Sequence, residues 1–333
     1  MENDSTFFSG LKLLVTGAAG FIGSRLIQRL LESGAHVRAF VRYTSRPEFG
    51  NLTFLPPELF RQIKIIRGDL DDHAAVDHAV RDVDIVFHLG ALISIPYSYI
   101  HPVETAHTNI LGTLNILEAC RKTTAKLIHT STSEVYGTAL RVPIDEEHPL
   151  QAQSPYSASK IGADKLVESY YRSFDVQSLT VRPFNTYGPG QSNRAVIPTI
   201  ITQALTSNQI HLGNLTTRRD FTYLDDTVNG FLKAAENGNW DGQVYNLGTG
   251  YDVSISDVAQ QIFDYLRIEP EIIIDQERIR PEKSEVLRLV SDNTKARREL
   301  GWEPEFDLRQ GLASTIEWIR NHLDHYLPDD YGR

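Results

Sequence analysis

The chain of 333 residues is poor in sulfur, with one cysteine, Cys120, and one methionine. A single thiol excludes an intrachain disulfide and every cysteine-rich metal site. Nowhere do 18 apolar residues run together, so no membrane span is expected. The opening MENDSTFFSG lacks the basic start and apolar stretch of a secretory leader, and the expectation is a cytoplasmic protein. Basic charge is not in excess either. Lys and Arg total 33 against 43 Asp and Glu, a formal net charge of −10. That disfavours a general nucleic-acid binder, which needs a phosphate-neutralising face. A few placed arginines can still bind a small phosphate in an acidic chain. No group of His, Asp and Glu has metal-ligand spacing, so no metal is expected.

What is present is an ordinary globular mix, 41% hydrophobic and 23% charged, in a length that suits two domains or one large domain with a lobe. Short apolar runs at 11–16, 36–41, 63–67, 84–89 and 126–130 read as strands, and helical periods at 21–33, 108–120 and 157–174 alternate with them. Such alternation implies βαβ units. The expected fold is α/β, a Rossmann-type doubly wound parallel sheet with a smaller C-terminal α/β lobe. A dinucleotide-binding domain is expected over 1–185, with a return near 223–247. The lobe is expected over 186–222 and 248–333, with helices near 196–206, 226–236 and 256–267 and strands at 244–247 and 271–274.

Thr16-Gly17-Ala18-Ala19-Gly20-Phe21-Ile22-Gly23 follows the first strand and opens the first helix. In G-x-x-G-x-x-G, the first glycine permits a sharp turn, the second lets backbone approach a pyrophosphate and the third lets helix pack on sheet. The helix start adds N–H donors. The second strand ends without an acid, in Arg42-Tyr43-Thr44-Ser45-Arg46. Arg42, Ser45 and Arg46 suit the extra phosphate of NADP, although NAD remains possible. Asp69, followed by Leu70, ends the third strand and can accept from an adenine amino group.

Tyr156-Ser157-Ala158-Ser159-Lys160 is Y-x-x-x-K, which puts phenol and ammonium on one helix face. A neighbouring ammonium is expected to lower the phenol pKa. The fifth strand runs out into Thr130-Ser131-Thr132-Ser133-Glu134, at the strand end where parallel sheets place ligands. Thr132 suits a substrate hydroxyl. Glu134 adds a carboxylate that simple alcohol oxidation does not need. His88 reads as a hydrogen-bonded core histidine, and Asp225-Asp226 as a helix N-cap pair.

TGAAGFIG, STSEVYG, SPYSASK, RPFNTYGP, RRDFTYLDD, YNLGTG and LGWEP occur in the order and spacing of the extended short-chain dehydrogenase/reductases that act on nucleotide sugars. The resemblance covers about residues 11–320. Within that class the chain looks most like the NDP-hexose 4,6-dehydratases. STSEVYG is similar to the dTDP-glucose and GDP-mannose dehydratase segment; ALISIPYSY, SPYSASKIGADKL and RPEKSEVLRL resemble the NDP-N-acetylglucosamine dehydratases of the legionaminic-acid type.

The resemblance implies a tightly bound, recycled nicotinamide cofactor and a UDP- or GDP-N-acetylglucosamine substrate. It casts Tyr156 as the base at the sugar 4-hydroxyl, Lys160 as its partner, Thr132 as a 4-hydroxyl ligand and Glu134 as the base at C5. The dTDP-glucose enzymes carry Asp where this chain has Ser133, so the acid at C6 is either Glu134 or Ser133 through a water. Asn185, Arg219 and Arg280 resemble residues that hold the sugar and pyrophosphate. Tyr97 and Tyr99 suit the sugar pocket or simple packing, and Asn193 and Arg194 suit a loop near the base. A homodimer through 108–120 and 157–174 is implied as well. A 4-epimerase, which needs no base at C5, a UDP-glucuronate decarboxylase and a non-catalytic nucleotide-sugar sensor are the alternatives.

Overall fold

The computed structural model describes residues 6–43 and 49–326. Its strands are β1 (Lys12–Thr16), β2 (His36–Arg42), β3 (Lys64–Gly68), β4 (Ile85–His88), β5 (Lys126–Thr130), β6 (Ser178–Pro183), β7 (Asn185–Tyr187), β8 (Gln209–Leu212), β9 (Arg218–Arg219), β10 (Phe221–Tyr223), β11 (Asp241–Leu247), β12 (Val253–Ser254), β13 (Glu271–Ile274) and β14 (Arg288–Leu289). The helices are α1 (Phe21–Glu32), α2 (Pro57–Phe60), α3 (His73–Val80), α4 (Ile95–Ile100), α5 (Pro102–Ala106), α6 (Gly112–Lys122), α7 (Pro155–Phe174), α8 (Val196–Thr206), α9 (Leu224–Asn237), α10 (Ile255–Leu266) and α11 (Leu308–Asn321). A π-helical turn, His107–Leu111, leads into α6.

Seven parallel strands form the main sheet in the order β11-β6-β5-β4-β1-β2-β3. The order reverses between β1 and β4, and in such sheets ligands sit in the crevice at the carboxyl ends there. Alternation along β1 explains the two layers. Leu13 and Val15 face a core shared with Leu26, Leu30, Phe231 and Trp302. Leu14 faces the opposite core, with Ile116, Leu117, Val167 and Tyr170. Both faces are dry, so the strand reads as a continuous apolar run. The chain leaves this sheet after β6 and comes back through α9 and β11.

The remaining strands form small sheets: β7 with β10, β12-β9-β14, and β8 with β13. A third core, with Ile200, Ile201, Ile262, Leu312 and Ile316, joins α8, α10 and α11. This lobe puts Asn185 on β7 and Arg219 on β9.

Two expectations need correction. The expected strands omit β6, although Ser178, Thr180 and Arg182 alternate with Leu179 and Val181 as in a half-buried strand; in the structure all three polar residues are buried as well. Asp225 and Asp226 are not a cap pair. Tyr223 precedes α9 without a capping side chain, Asp225 ion-pairs with Arg25 at 2.6 Å, and the Asp226 carboxylate accepts the Glu305 and Phe306 N–H groups.

Candidate active site

The glycine turn fits a phosphate for steric reasons. Gly17 has φ +65°, and a Cβ there would lie 2.8 Å from the backbone of Leu89 and Gly90. Gly20 precedes α1 without a side-chain cap, so the first amides, from Phe21 onward, have no side-chain acceptor. A Cβ on Gly23 would stand 2.3 Å from the Gly17 carbonyl oxygen. The third glycine therefore presses the helix onto the turn itself, rather than onto the sheet as expected. Across the switch point, Thr16 Oγ1 accepts the Gly90 N–H at 3.0 Å and meets His88 Nδ1 at 2.8 Å, and His88 Nε2 meets Thr113 at 3.1 Å. Burial holds the His88 imidazole well below its ordinary pKa, as suits a bonded interior histidine.

At the end of β2, the Arg42 guanidinium lies 3.2 Å from Asp69 and 3.8 Å from Glu104. Its side chain remains 61% exposed. Leu70 is buried where a Cβ on Gly90 or Gly112 would touch it. Ser45 and Arg46 lie outside the described residues. Tyr97 donates to Glu104 at 2.6 Å, and Tyr99 meets Ser284 at 2.6 Å.

Ser154 caps α7 in a reciprocal box with Ser157, and Pro155 occupies the first turn, a strong helix start. Tyr156 therefore projects from the helix opening near the end of β5. Thr132 sits beside it and hydrogen-bonds its hydroxyl. Thr132 also starts the 3-10 turn Ser133–Tyr136 by accepting the Glu134 N–H at 3.2 Å. Tyr156 is 7% exposed and Lys160 4%. Burial pushes the Tyr156 phenol far above its ordinary pKa, the Thr132 hydrogen bond opposes it, and Glu134 adds to the rise. The expected lowering by Lys160 is absent, because that ammonium turns to the Thr130 carbonyl, 2.7 Å away. Burial lowers the Lys160 pKa from 10.5 to about 8, against the pull of Asp164.

Glu134 faces the lobe. Its carboxylate lies 3.9 Å from Arg280 Nη1, while Glu285 lies 4.0 Å from Arg280 and 3.7 Å from Arg219. Burial lowers the Arg219 pKa. Arg280 Nη1 and Asn185 Oδ1 are both buried with no hydrogen-bond partner. Unfilled polar atoms of opposite character on one cleft fit a polar, anionic ligand. The segment carrying Arg280 is tied across the cleft: Ser284 donates to the Gln153 carbonyl, and Thr138 donates to the Glu285 carbonyl at 3.4 Å. Asn193 and Arg194 precede α8, where the Thr199 hydroxyl donates to the Asn193 carbonyl at 2.6 Å.

Sequence reasoning missed the polar column behind Lys160. Asp164 bonds His129, Ser131 and Arg182, and its place one turn beyond Lys160 was the available signal. Among the described residues no metal-ligating cluster exists and no helix is long and apolar enough to cross a membrane.

A Rossmann sheet with a glycine turn at its switch point, Y-x-x-x-K on the neighbouring helix and a lobe of arginines across the cleft define an extended short-chain dehydrogenase/reductase. The class comprises nucleotide-sugar dehydratases and epimerases that use a nicotinamide dinucleotide. The chain belongs to the GDP-mannose 4,6 dehydratase family, whose model matches residues 14–315. It is 32% identical over 327 residues to a dTDP-glucose 4,6-dehydratase of Streptomyces antibioticus, covering 96% of this chain and 95% of the relative. It is also 32% identical over 321 residues to a UDP-glucose 4-epimerase of Mycolicibacterium smegmatis, covering 93% and 99%. The solved dTDP-glucose 4,6-dehydratase DesIV of Streptomyces venezuelae, with NAD bound, superposes with a TM-score of 0.85 at 28% identity, over 96% of this chain and 99% of that one.

Proposed function

We propose that the chain is an NDP-sugar 4,6-dehydratase acting on UDP- or GDP-N-acetylglucosamine. The supporting observation is Glu134, a carboxylate inside the cleft near both Tyr156 and Arg280. An epimerase has no use for a base at that point.

Tyr156 removes the proton of the sugar 4-hydroxyl, which Thr132 orients. Lys160, whose ammonium donates to the Thr130 carbonyl, would hold the cofactor ribose beside Tyr156. A nicotinamide bound there would supply hydride chemistry, accepting from C4 and donating at C6 while C5 regains a proton. A ketone at C4 acidifies the C5 hydrogen, and Glu134 takes that proton. Ser133 is only 3% exposed, which favours Glu134 over Ser133 as the acid for the C6 oxygen. Arg219 and Arg280 hold the diphosphate and sugar from the lobe, 186–222 and 248–333, with Asn185 at the boundary between lobe and dinucleotide-binding domain. Gly17, Gly20, Phe21, Ile22 and Gly23 receive the cofactor pyrophosphate, with Asp69 and Leu70 at the adenine. NADP is the preferred form, since β2 ends in Arg42 with no acid of its own. The setting is cytoplasmic and the assembly a homodimer, for which the exposed Leu111 and Phe174 at the proposed helices supply apolar surface.

The test is product mass after incubation with candidate NDP-sugars. Loss of water supports the reading. An isobaric product replaces it with epimerisation, and loss of carbon dioxide with decarboxylation. A tighter complex with NAD than with NADP overturns the cofactor preference.

A further inference from the structure

The candidate site is assembled from three separate pieces of chain. Tyr156 stands at the opening of α7. Glu134 rides on the 3-10 turn Ser133–Tyr136. Arg280 belongs to the segment between β13 and β14. Their relative placement decides whether one bound sugar can meet all three.

The pieces converge on Gln153, the residue before the Ser154 cap. Its backbone N–H donates to the Ser157 hydroxyl at 3.1 Å, within the capping box that starts α7. Its side-chain Oε1 accepts the Thr138 N–H just past the Glu134 turn. Its Nε2 reaches the Lys283 carbonyl at 3.4 Å, and its own carbonyl accepts the Ser284 hydroxyl, both on the segment that carries Arg280. Gln151 grips the same turn by a second set of bonds. Its N–H donates to the Val135 carbonyl at 2.8 Å, and its Nε2 to the Tyr136 and Thr138 carbonyls at 3.1 and 3.2 Å. The turn is shaped to receive them. Gly137 has φ +62°, and a Cβ there would lie 2.7 Å from Gln153 Oε1 and 2.8 Å from the Gln151 carbonyl oxygen, so only glycine permits the approach.

We propose that Gln151 and Gln153 are positioning residues that clamp the Glu134 turn in register with Tyr156 and the Arg280 segment, so that Glu134 reaches C5 of the sugar whose 4-hydroxyl meets Tyr156. This rests on the dehydratase reading. Neither glutamine touches the reacting atoms; both act through Glu134. Tyr156 is held by the α7 cap, which the Gln153 side chain does not join. The two side chains therefore serve the elimination of water and not the oxidation at C4.

The experiment uses the full chain with its cofactor and the accepted NDP-sugar. Gln153→Met keeps the backbone bonds to Ser157 and Ser284 and loses both side-chain bonds. First-turnover nicotinamide reduction should stay within about threefold of the unmodified protein, while kcat for water loss falls roughly 10- to 100-fold, the effect of a small misplacement. Reduced nicotinamide should then accumulate in the steady state, visible by its absorbance, a signal that a misfolded variant cannot give. Gln151→Met should show the same split. Gln153→Glu keeps an acceptor for the Thr138 N–H and should recover part of the rate. Affinity for UDP or GDP, whichever base the accepted sugar carries, should weaken by no more than about threefold in calorimetry, because Ser284 stays bonded to Tyr99 and to the Gln153 carbonyl. Equal loss of reduction and water loss, no build-up of reduced nicotinamide, Gln153→Glu no faster than Gln153→Met, or a fall in nucleotide affinity as large as the fall in kcat overturns the clamp. A product of the unmodified protein that has not lost water overturns the dehydratase reading, and the clamp falls with it; water loss in the unmodified protein with unaltered variants overturns the clamp alone.

Discussion

The two sides of α7 treat charge in opposite ways. Behind the helix, Asp164 and Arg182 are about 5% exposed and share two bonds, with His129, Ser131 and Tyr136 completing the set. In front, Glu134 and Arg280 stand 3.9 Å apart, beyond hydrogen-bond reach, and Arg280 Nη1 and Asn185 Oδ1 have no partner. A buried pair that is complete serves the fold, whereas one left incomplete serves a ligand, because only a ligand removes the cost of the unfilled groups. Substitutions behind α7 should therefore cost stability, and those in front should cost function.

The largest loss of stability is expected from Asp164→Ala, which strands the Arg182 charge in the interior. Unfolding by denaturant should show a loss of about 3–5 kcal/mol; a loss under about 1 kcal/mol would erase the contrast between the sides. Glu134→Gln should leave the unfolding midpoint unchanged or raised, while dehydration falls roughly 10²–10⁴-fold. Arg280→Met should raise KM for the NDP-sugar by roughly 10- to 100-fold, the worth of one charged hydrogen bond, again without loss of stability. Ser154→Ala, at the start of α7, should cost only about 1 kcal/mol, read from the same denaturation curves.

Lys160 joins the two sides, and its pH behaviour sharpens the comparison. Burial lowers its pKa from 10.5 to about 8, so the charged form is disfavoured in the folded chain. Between pH 8 and 10.5 the unfolded chain binds more protons, and stability rises with pH through that window. The Tyr156 phenol, raised by burial, pulls the other way once an unfolded tyrosine ionises near pH 10. From pH 7.5 to 9.5, the unmodified protein should gain stability relative to Lys160→Met. No such gain would mean that Lys160 is solvated.

Much of the sheet was legible because β1 to β5 are apolar runs separated by helical periods. The phosphate turn was legible because only glycine fits its contacts, and Tyr156 and Lys160 because their spacing is one helical turn. What stayed hidden depends on contacts between distant segments. The alternation in β6 reads as a strand with Arg182 toward water, and only Asp164 beside it explains why Arg182 is buried. Asp226 looks like a cap until Glu305 and Phe306 come round to it. His129 reads as one polar residue in a strand, and only the fold brings Asp164 to one nitrogen and nothing to the other.

The central claim is that Glu134 exchanges a proton with C5 of the sugar. The direct measurement is deuterium incorporation at C5 when the reaction runs in heavy water. The unmodified protein should give product labelled at C5, whereas Glu134→Gln should reduce its nicotinamide and leave C5 unlabelled. Label entering C5 in Glu134→Gln at the unmodified rate would contradict the account.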